Sequence, residues 1–559
     1  MKYMKERIQE LIAKIKPGID LEKLKKDLAK KYKLSKMPTN IEILEELNEK
    51  QKEFYKSYLI TKPVRTLSGV APLAVMTKPI SCKHGKCTFC PGGPSSIFGE
   101  VPQSYTGNEP STMRAIRSNY DSYLIVFNRL EQYTLLNQIP DKTEVIIQGG
   151  TFCSFPKEYQ EEVIIYTLKA MNDFSEMFFE NNKFNFTKFK EFYELPGSIK
   201  DKERTKRIHE KLLKLKKESN LEKEQLRNET ARIRSTALVI ETKPDWCKED
   251  EINEILKLGT TRVELGIQTL KENVLKITNR GHTLDDTKEA IQLLKDSFLK
   301  ITLHIMPGLP NTTKEEDIEM FSVLFTNDDY KPDSLKIYPC LVMPGTPLYL
   351  QYQKGEFKPL NTEEAAEIIA EGKRFVPEYC RVMRVNRDIP STVIHDGVMN
   401  TNLRQIVAEK VKEKNIKCIC IRCKESMGRK IDYNSIEIKK QYYDSSNGKE
   451  VFISVVDAKN NILIGFCRLR KPYKPFRPEI TNSSAGVREL HVYGQATPIG
   501  EAGLIQHKGY GKLLMEEAEK IAKEEWHCDK LLVISGIGVR QYYTKLGYSK
   551  DGSYMSKML

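Results

Sequence analysis

From about residue 140 onward, short apolar runs rich in β-branched residues alternate with stretches of helix length. The runs are Val145-Ile-Ile-Gln-Gly-Gly150, Ala237-Leu-Val-Ile-Glu241, Arg262-Val-Glu-Leu-Gly266, Ile301-Thr-Leu-His-Ile305 and Ser334-Leu-Lys-Ile-Tyr338. Strands joined by crossover helices predict a parallel sheet, open or closed into a partial barrel. Ligands of such sheets sit at the C-terminal ends of the strands. There the sequence places Gly149, Gly150, Glu241, Gln268 and Met306-Pro-Gly-Leu-Pro310. Gly149 and Gly150 permit close backbone approach to an amino acid or a ribose, although Gly-Gly is also an ordinary turn.

Elsewhere the pattern changes. Up to about residue 60 it is helical, with Ile8, Leu11, Ile12 and Ile15 at helical spacing, a break at Pro17-Gly18, then Leu21, Leu24 and Leu28. Two readings stay open for this region: a solvated helical cap, or a basic arm whose Lys26, Lys30 and Lys31 neutralise phosphates without reading bases. Ser104–Arg117 reads as a long non-periodic loop. Between about Asn181 and Arg234 the chain is nearly all Lys, Glu, Arg and Leu. An amphipathic hairpin standing off the sheet is expected there, either a solvated face or a contact for nucleic acid or a partner. Beyond Pro377 the alternation is expected to give way to a basic connector carrying Arg381, Arg384 and Arg387.

From about Ser426 the style shifts again. Val451–Val456 and Ile462–Phe466 flank Asp457–Asn461, a hairpin signal. A strand at Arg488–Tyr493, a glycine loop, a helix with Leu514, Ala518, Ile521 and Ala522 on one face, and a strand at Leu531–Ile534 follow. The expected domains are therefore 1–60, 61–375, 376–425 and 426–559.

With 559 residues the chain is too long for one ordinary core, and 40% hydrophobic content suffices for several. No run of about 18 apolar residues occurs, and the N-terminus opens on charge, so a cytoplasmic protein with no membrane span is expected. Twelve cysteines, with two tight clusters and the others scattered, fit metal binding in a reducing compartment better than a disulfide framework. A net charge of +14 favours a polyanionic partner, weakly, because it is spread over a long chain.

The densest chemistry is Cys82-Lys-His-Gly-Lys-Cys87-Thr-Phe-Cys90. Three thiolates can hold three irons of a [4Fe-4S] cluster and leave the fourth open, which suggests S-adenosylmethionine. A zinc knuckle with His84 as fourth ligand is the alternative. Cys418, Cys420 and Cys423 suggest a structural zinc at a domain junction, with Cys380 or His395 as candidate fourth ligand; buried free cysteines are the bland alternative. Their alternation with Ile reads as a strand that puts Cys418 and Cys420 on one side. Finally, Gln506-His-Lys-Gly509-Tyr510-Gly511 opens a helix and offers bare N–H groups and a helix dipole to a pyrophosphate, as in the coenzyme A site of GNAT acetyltransferases.

Taken with Gln103–Pro110, Met113–Arg117, Asn279-Arg-Gly-His282, Arg387–Pro390, Arg488–Gly494 and Met515–Glu519, these motifs resemble, in order, the catalytic subunit family of the Elongator complex. The match runs from about residue 60 to the C-terminus, and the tight spacing of Cys82 and Cys87 is similar to archaeal and bacterial members. The resemblance implies an α/β multidomain chain: a radical S-adenosylmethionine partial (β/α) barrel, then a GNAT-type α+β domain, behind an N-terminal helical segment. It implies cluster ligation by Cys82, Cys87 and Cys90, and acetyl-CoA contacts at Glu489, Leu490, His491, Val492, Gln506, Gly509, Tyr510, Gly511, Lys512 and Tyr543. A further contact falls on Lys142, and Lys142, His491 and Tyr543 are the implied catalytic residues. The implied reaction makes 5-carboxymethyluridine at the wobble uridine of tRNA, held by its anticodon stem-loop. An electron donor is needed, and a homodimer or accessory subunits are possible partners. A lysine acetyltransferase with a structural cluster, using His491 or Glu489 as base, is the rival enzyme; a nucleic-acid scaffold with idle sites is a third reading.

Overall fold

The computed structural model describes the chain apart from residues 1, 17–18, 35–36, 48–50, 52–54, 56–68, 198–200, 427 and 494–508. Seven strands form the first sheet: β1 Val70–Met76, β2 Lys142–Gln148, β3 Arg234–Thr242, β4 Arg262–Gln268, β5 Lys300–Ile305, β6 Ser334–Ile337 and β7 Arg381–Val385. All neighbours are parallel and lie side by side in chain order. Crossovers of one hand wind such an order in one direction, so the sheet curls as a partial barrel rather than doubling back.

Two of these strands lie beyond the five expected. β1 contains Pro72, which argues against a strand in sequence and is tolerated because β1 is an edge. β7 falls inside the expected connector. Its arginines disguise it, yet Val382 is fully buried. The stretch expected as loop also holds a helix, Pro110–Arg117, which Pro110 opens from its first turn.

The charged segment does not stand off the sheet. Phe186 and Phe189 enter the core beside Phe174 and Phe178, and Ile208 and Leu212 of the helix Lys202–Leu215 follow them. Arg204 reaches Glu131 at 2.7 Å, both side chains 4% exposed. A sparse apolar stripe, outnumbered by lysine and glutamate in composition, decides the packing.

The N-terminal helices Lys2–Lys14, Leu21–Lys31 and Asn40–Glu46 gather Ile8, Leu11, Ile12, Ile15 and Leu28 into a small core of their own. Lys26 and Lys30 are exposed, whereas Lys31 is held by Glu10 at 2.7 Å. The Pro17-Gly18 break lies outside the described residues.

The second sheet comprises β8 Ile436–Ser445, β9 Gly448–Asp457, β10 Ile462–Lys471, β11 Ser484–Val492, β12 Lys530–Val533, β13 Ser549–Asp551 and β14 Tyr554–Met558, in the order β8-β9-β10-β11-β12-β14-β13. Only β11 and β12 are parallel neighbours. The helix Tyr510–Lys520 packs on this sheet through Leu514 and Ala518, and Ile521 and Ala522 extend the same buried face.

The two sheets are joined by buried charge at the starting ends of β5 and β6. Arg488 grips Asp333 with two bonds, 2.6 and 2.9 Å, and Glu450 with a third of 2.8 Å. Arg470 binds Asp296 at 2.5 Å and Glu450 at 3.0 Å. Lys300 pairs with Glu489, which also accepts from Arg468 at 2.8 Å. The second domain is therefore fastened beneath the first sheet, at the end opposite to where its ligands would sit.

Candidate active site at the two ends of the first sheet

The Cys82–Cys90 loop covers the C-terminal strand ends. Cys82 Sγ lies 3.6 Å from Thr151 Oγ1. Cys87 Sγ meets Arg280 Nη1 at 3.2 Å and His84 Nε2 at 3.3 Å. Cys90 Sγ receives the Ser104 N–H at 3.2 Å, and burial pushes its thiol up to about 11. Arg280 also donates to the Gly266 carbonyl at 2.6 Å, so the loop is tied to the end of β4.

Gly149 and Gly150 both have left-handed φ, +128° and +107°, and a Cβ at Gly149 would stand 2.1 Å from Thr77 Oγ1. A Cβ at Gly150 would crowd Gln103 Cβ at 3.2 Å, with Cys82 Sγ 4.0 Å away. Gln268 occupies φ +67° without being glycine, a strained position of the kind found at ligand sites. Glu241 accepts from Tyr105 at 3.1 Å and from Gln148 at 3.4 Å.

Several buried polar atoms near these thiols have no hydrogen-bond partner: His84 Nδ1, Thr88 Oγ1, Gln148 Oε1, Gln268 Oε1, Arg280 Nε and both ring nitrogens of His282. Unpaired buried groups cost free energy unless a ligand meets them. Their concentration here fits a polar cofactor held by three thiols. The three Sγ atoms are not gathered within 4.8 Å of one another as a single ion would require, which suits a cluster better than the zinc knuckle with His84.

Below this loop the inner face of the sheet is polar. Lys336 pairs with Glu264, which also bonds His304 at 3.0 Å; Arg262 bridges Glu264 at 3.2 Å and Glu144 at 2.7 Å. Burial works against the Glu264 charge, but Lys336, with His304 and Arg262, holds its carboxyl well below the usual range. Parallel strands covered on both faces normally read as continuous apolar runs. Here alternate positions of β4, β5 and β6 are mostly polar, with charge at Arg262, Glu264, Lys300 and Lys336.

At that lower end β11 pairs with β12 only from Ser484 to Val487, while its pairing with β10 continues to Val492. Beyond Val487 the two parallel strands diverge. Glu489, Leu490, His491 and Val492 line this divergence. The helix that follows opens on Gly509, at φ +84°, with no side-chain cap, leaving its first N–H groups to a ligand. A Cβ at Gly511 would stand 2.7 Å from the Tyr542 hydroxyl. Tyr510 is half-buried, Lys512 is exposed and Tyr543 is buried; Gln506 lies outside the described residues.

Glu489 is saturated. Burial opposes its charge, and Lys300 and Arg468 hold its carboxyl far below the ordinary value. Burial pushes His491 down to about 4, so its ring, stacked near Phe466 and Tyr493, is neutral at pH 7. Lys142 begins β2 and so sits at this lower end, half-buried.

Cys418, Cys420 and Cys423 bring their Sγ atoms within 4.8 Å of one another. They do so on a turn rather than the expected strand, with Cys420 capping the short helix Ile421–Lys424. Neither expected fourth ligand joins the set. His395 packs edge-on against Tyr349 and Tyr352, and fully buried Cys380 contributes its carbonyl to the Ile421 N–H. Lys373 Nζ stands 3.7 Å from Cys423 Sγ instead.

The full chain aligns with the tRNA uridine(34) acetyltransferase of Methanocaldococcus infernus at 45% identity, covering 100% of this chain and 99% of that one. Elongator complex protein 3 of Saccharomyces cerevisiae is 38% identical, over 97% of this chain and 92% of its own. The chain belongs to the Elongator complex protein 3 family. Family descriptions match in order: ELP3 N-terminal domain at 1–67, Radical SAM superfamily at 81–324, Radical_SAM C-terminal domain at 332–413 and Acetyltransferase (GNAT) family at 423–548. The solved Elp3 of M. infernus, with an N-terminal deletion, superposes with TM-score 0.72 at 42% identity, covering 88% of this chain and all of that one. Family likeness thus includes the N-terminal helices, which the motifs in sequence left out. No described helix is long and apolar enough to cross a membrane.

The residues that sequence reasoning missed are Lys300, Lys336, Glu264, His304, Arg280 and Asp333. The signal was present for four of them. Arg-Val-Glu-Leu, Lys-Ile-Thr-Leu-His and Ser-Leu-Lys-Ile all alternate polar and apolar residues within runs whose apolar members alone marked them as strands.

Proposed function

We propose that the chain is a tRNA-modifying enzyme that uses S-adenosylmethionine and acetyl-CoA to build 5-carboxymethyluridine at the wobble position. The carrying observation is the Lys300–Glu489 pair, which sets the acetyl-binding strand under the sheet whose top carries the Cys loop. Cys82, Cys87 and Cys90 would hold the cluster, with Gly149, Gly150, Glu241 and Gln268 around S-adenosylmethionine. When bound, these groups would supply a radical able to take hydrogen from the acetyl methyl; joining that carbon to C5 of the uracil would then require the adduct to give up one electron and the C5 proton.

The chain's own residues do the rest. First-turn N–H groups after Gly509 orient the pyrophosphate of coenzyme A. His491, neutral at pH 7, accepts at its unprotonated ring nitrogen the proton released when water opens the thioester. Tyr543, whose hydroxyl is held protonated by burial, and Lys142 donate toward the acetyl carbonyl. Glu489, with both oxygens engaged, positions the strand and does not act as base, which removes one of the two bases open to a lysine acetyltransferase.

The deciding experiment incubates reconstituted protein anaerobically with reductant, S-adenosylmethionine, acetyl-CoA and unmodified tRNA. A carboxymethyl mass gained on the anticodon uridine is expected. Acetylated peptide formed without S-adenosylmethionine, and no change in the tRNA, would establish the rival.

The same reading includes a zinc at Cys418, Cys420 and Cys423, supported by their convergence within 4.8 Å. Purified protein is expected to contain roughly one zinc per chain beyond its iron, lost on Cys420→Ser. Zinc retained in full by that variant would remove the site.

A further inference from the structure

Arg114 is 6% exposed, on the inner side of the helix Pro110–Arg117. Among the described residues its guanidinium has no hydrogen-bond or ion-pair partner, and its Nε is buried without one. The charges that face it are of its own sign. Burial, then Arg129 and Arg117, pushes its pKa down to about 9. Neighbouring carboxylates are committed elsewhere: Glu131 to Arg204 at 2.7 Å, Asp121 to Lys216 at 2.6 Å, and Glu109 to Thr106 and Thr112 at 3.0 and 3.1 Å. Arg129 is held in place by neutral groups only, Gln132 at 3.1 Å and the Tyr133 hydroxyl at 2.8 Å, with its guanidinium 4.0 Å over the Tyr133 ring. Exposed Arg117 sits at the end of the same helix.

A buried guanidinium without a counter-charge is destabilising, so its retention calls for a ligand that compensates it. Arginine forks match tetrahedral oxyanions, and the charged neighbours of Arg114 are two further arginines, Arg117 on its own helix and Arg129. We propose that Arg114, Arg117 and Arg129 form a binding site for a phosphodiester group of the RNA substrate. The site lies on the flank of the first sheet, because the helix Pro110–Arg117 packs on edge strand β1 and the second domain docks under the starts of β5 and β6. Coenzyme A phosphates are served by the helix at Tyr510 instead. Contacts of this kind fix the register of an RNA without reading its sequence. The inference rests on the tRNA reading above.

The test measures tRNA affinity against salt, and melting temperature, for Arg114→Met and for the double variant Arg117→Gln/Arg129→Gln. Removing one phosphate contact should lower the slope of log affinity against log salt by about 0.7–0.9, and the double variant should lower it by about twice that. Arg114→Met should also raise the melting temperature, since methionine keeps the volume and removes the uncompensated charge. A purely structural arginine predicts the reverse: a lower melting temperature with an unchanged slope. That result, or a double variant whose slope equals that of the wild type, overturns the site. So does pyrophosphate binding that depends on the three arginines while the tRNA slope does not, which would make this a free-anion site. Wild-type protein that binds no tRNA at any salt overturns the substrate reading together with the site.

Discussion

The Cys90→Ala protein is expected to lose its cluster iron and sulfide and to release no measurable 5′-deoxyadenosine from S-adenosylmethionine. Cys90 is 4% exposed, and its sulfur is already oriented by the Ser104 N–H at 3.2 Å. With that ligand gone, two thiols remain for a centre that needs three irons anchored and one open. Serine does not rescue, since a hard hydroxyl oxygen replaces a soft thiolate. Removing a buried side chain also costs stability, about 1–2 kcal/mol for a group this small. Cys82→Ala separates the two effects, because Cys82 is only half-buried. Both variants should lose iron, sulfide and 5′-deoxyadenosine release alike, whereas only Cys90→Ala should melt appreciably earlier. Either variant releasing 5′-deoxyadenosine at the wild-type rate would show that the thiols serve something other than radical initiation.

How much of this could be read from residue order depends on whether the information is local. The five apolar runs, the Cys loop, and the face made by Leu514, Ala518, Ile521 and Ala522 each lie within one segment, and periodicity or spacing exposes them. β1 and β7 were hidden by local contradictions, a proline in one and arginines in the other, that tertiary position resolves. The segment 181–234 was misjudged because composition counts every lysine, whereas packing depends on where Phe186, Phe189, Ile208 and Leu212 fall. Partners such as Lys300 with Glu489, or Arg488 with Asp333, are more than 150 residues apart and follow only from the docking of one sheet beneath another. The polar interior was nevertheless visible. Three strands that alternate polar with apolar residues, charged ones among them, cannot all be sealed in hydrocarbon, and the polar face had to line a space.

Asp333→Ala is expected to destabilise the chain by about 3–5 kcal/mol, the cost typical of breaking a buried ion pair from one side. Asp333 accepts both Arg488 bonds and the Ile301 N–H at 2.8 Å, with no side-chain exposure. Its loss strands Arg488 in the junction, with only Glu450 at 2.8 Å and the Leu299 carbonyl at 2.9 Å left to it. Because β11 carries Arg488 one residue before Glu489, the acetyl site should loosen as well, raising KM for acetyl-CoA more than it changes iron content. Replacing both partners, Asp333→Leu with Arg488→Met, removes the stranded charge and should recover much of the stability but not the KM. A double variant no more stable than Asp333→Ala would show that the pair is not coupled.

The same junction gives a pH dependence. Burial opposes the charges of Glu450 and Glu489, yet their arginine and lysine partners hold both carboxyls far below the unfolded value of about 4.5. Their contribution is therefore fully present above that pH and is lost as the pH falls toward the folded values. Acid melting of the wild type should steepen below about pH 4.5, and a variant that already lacks the Arg488 contact should show a shallower fall.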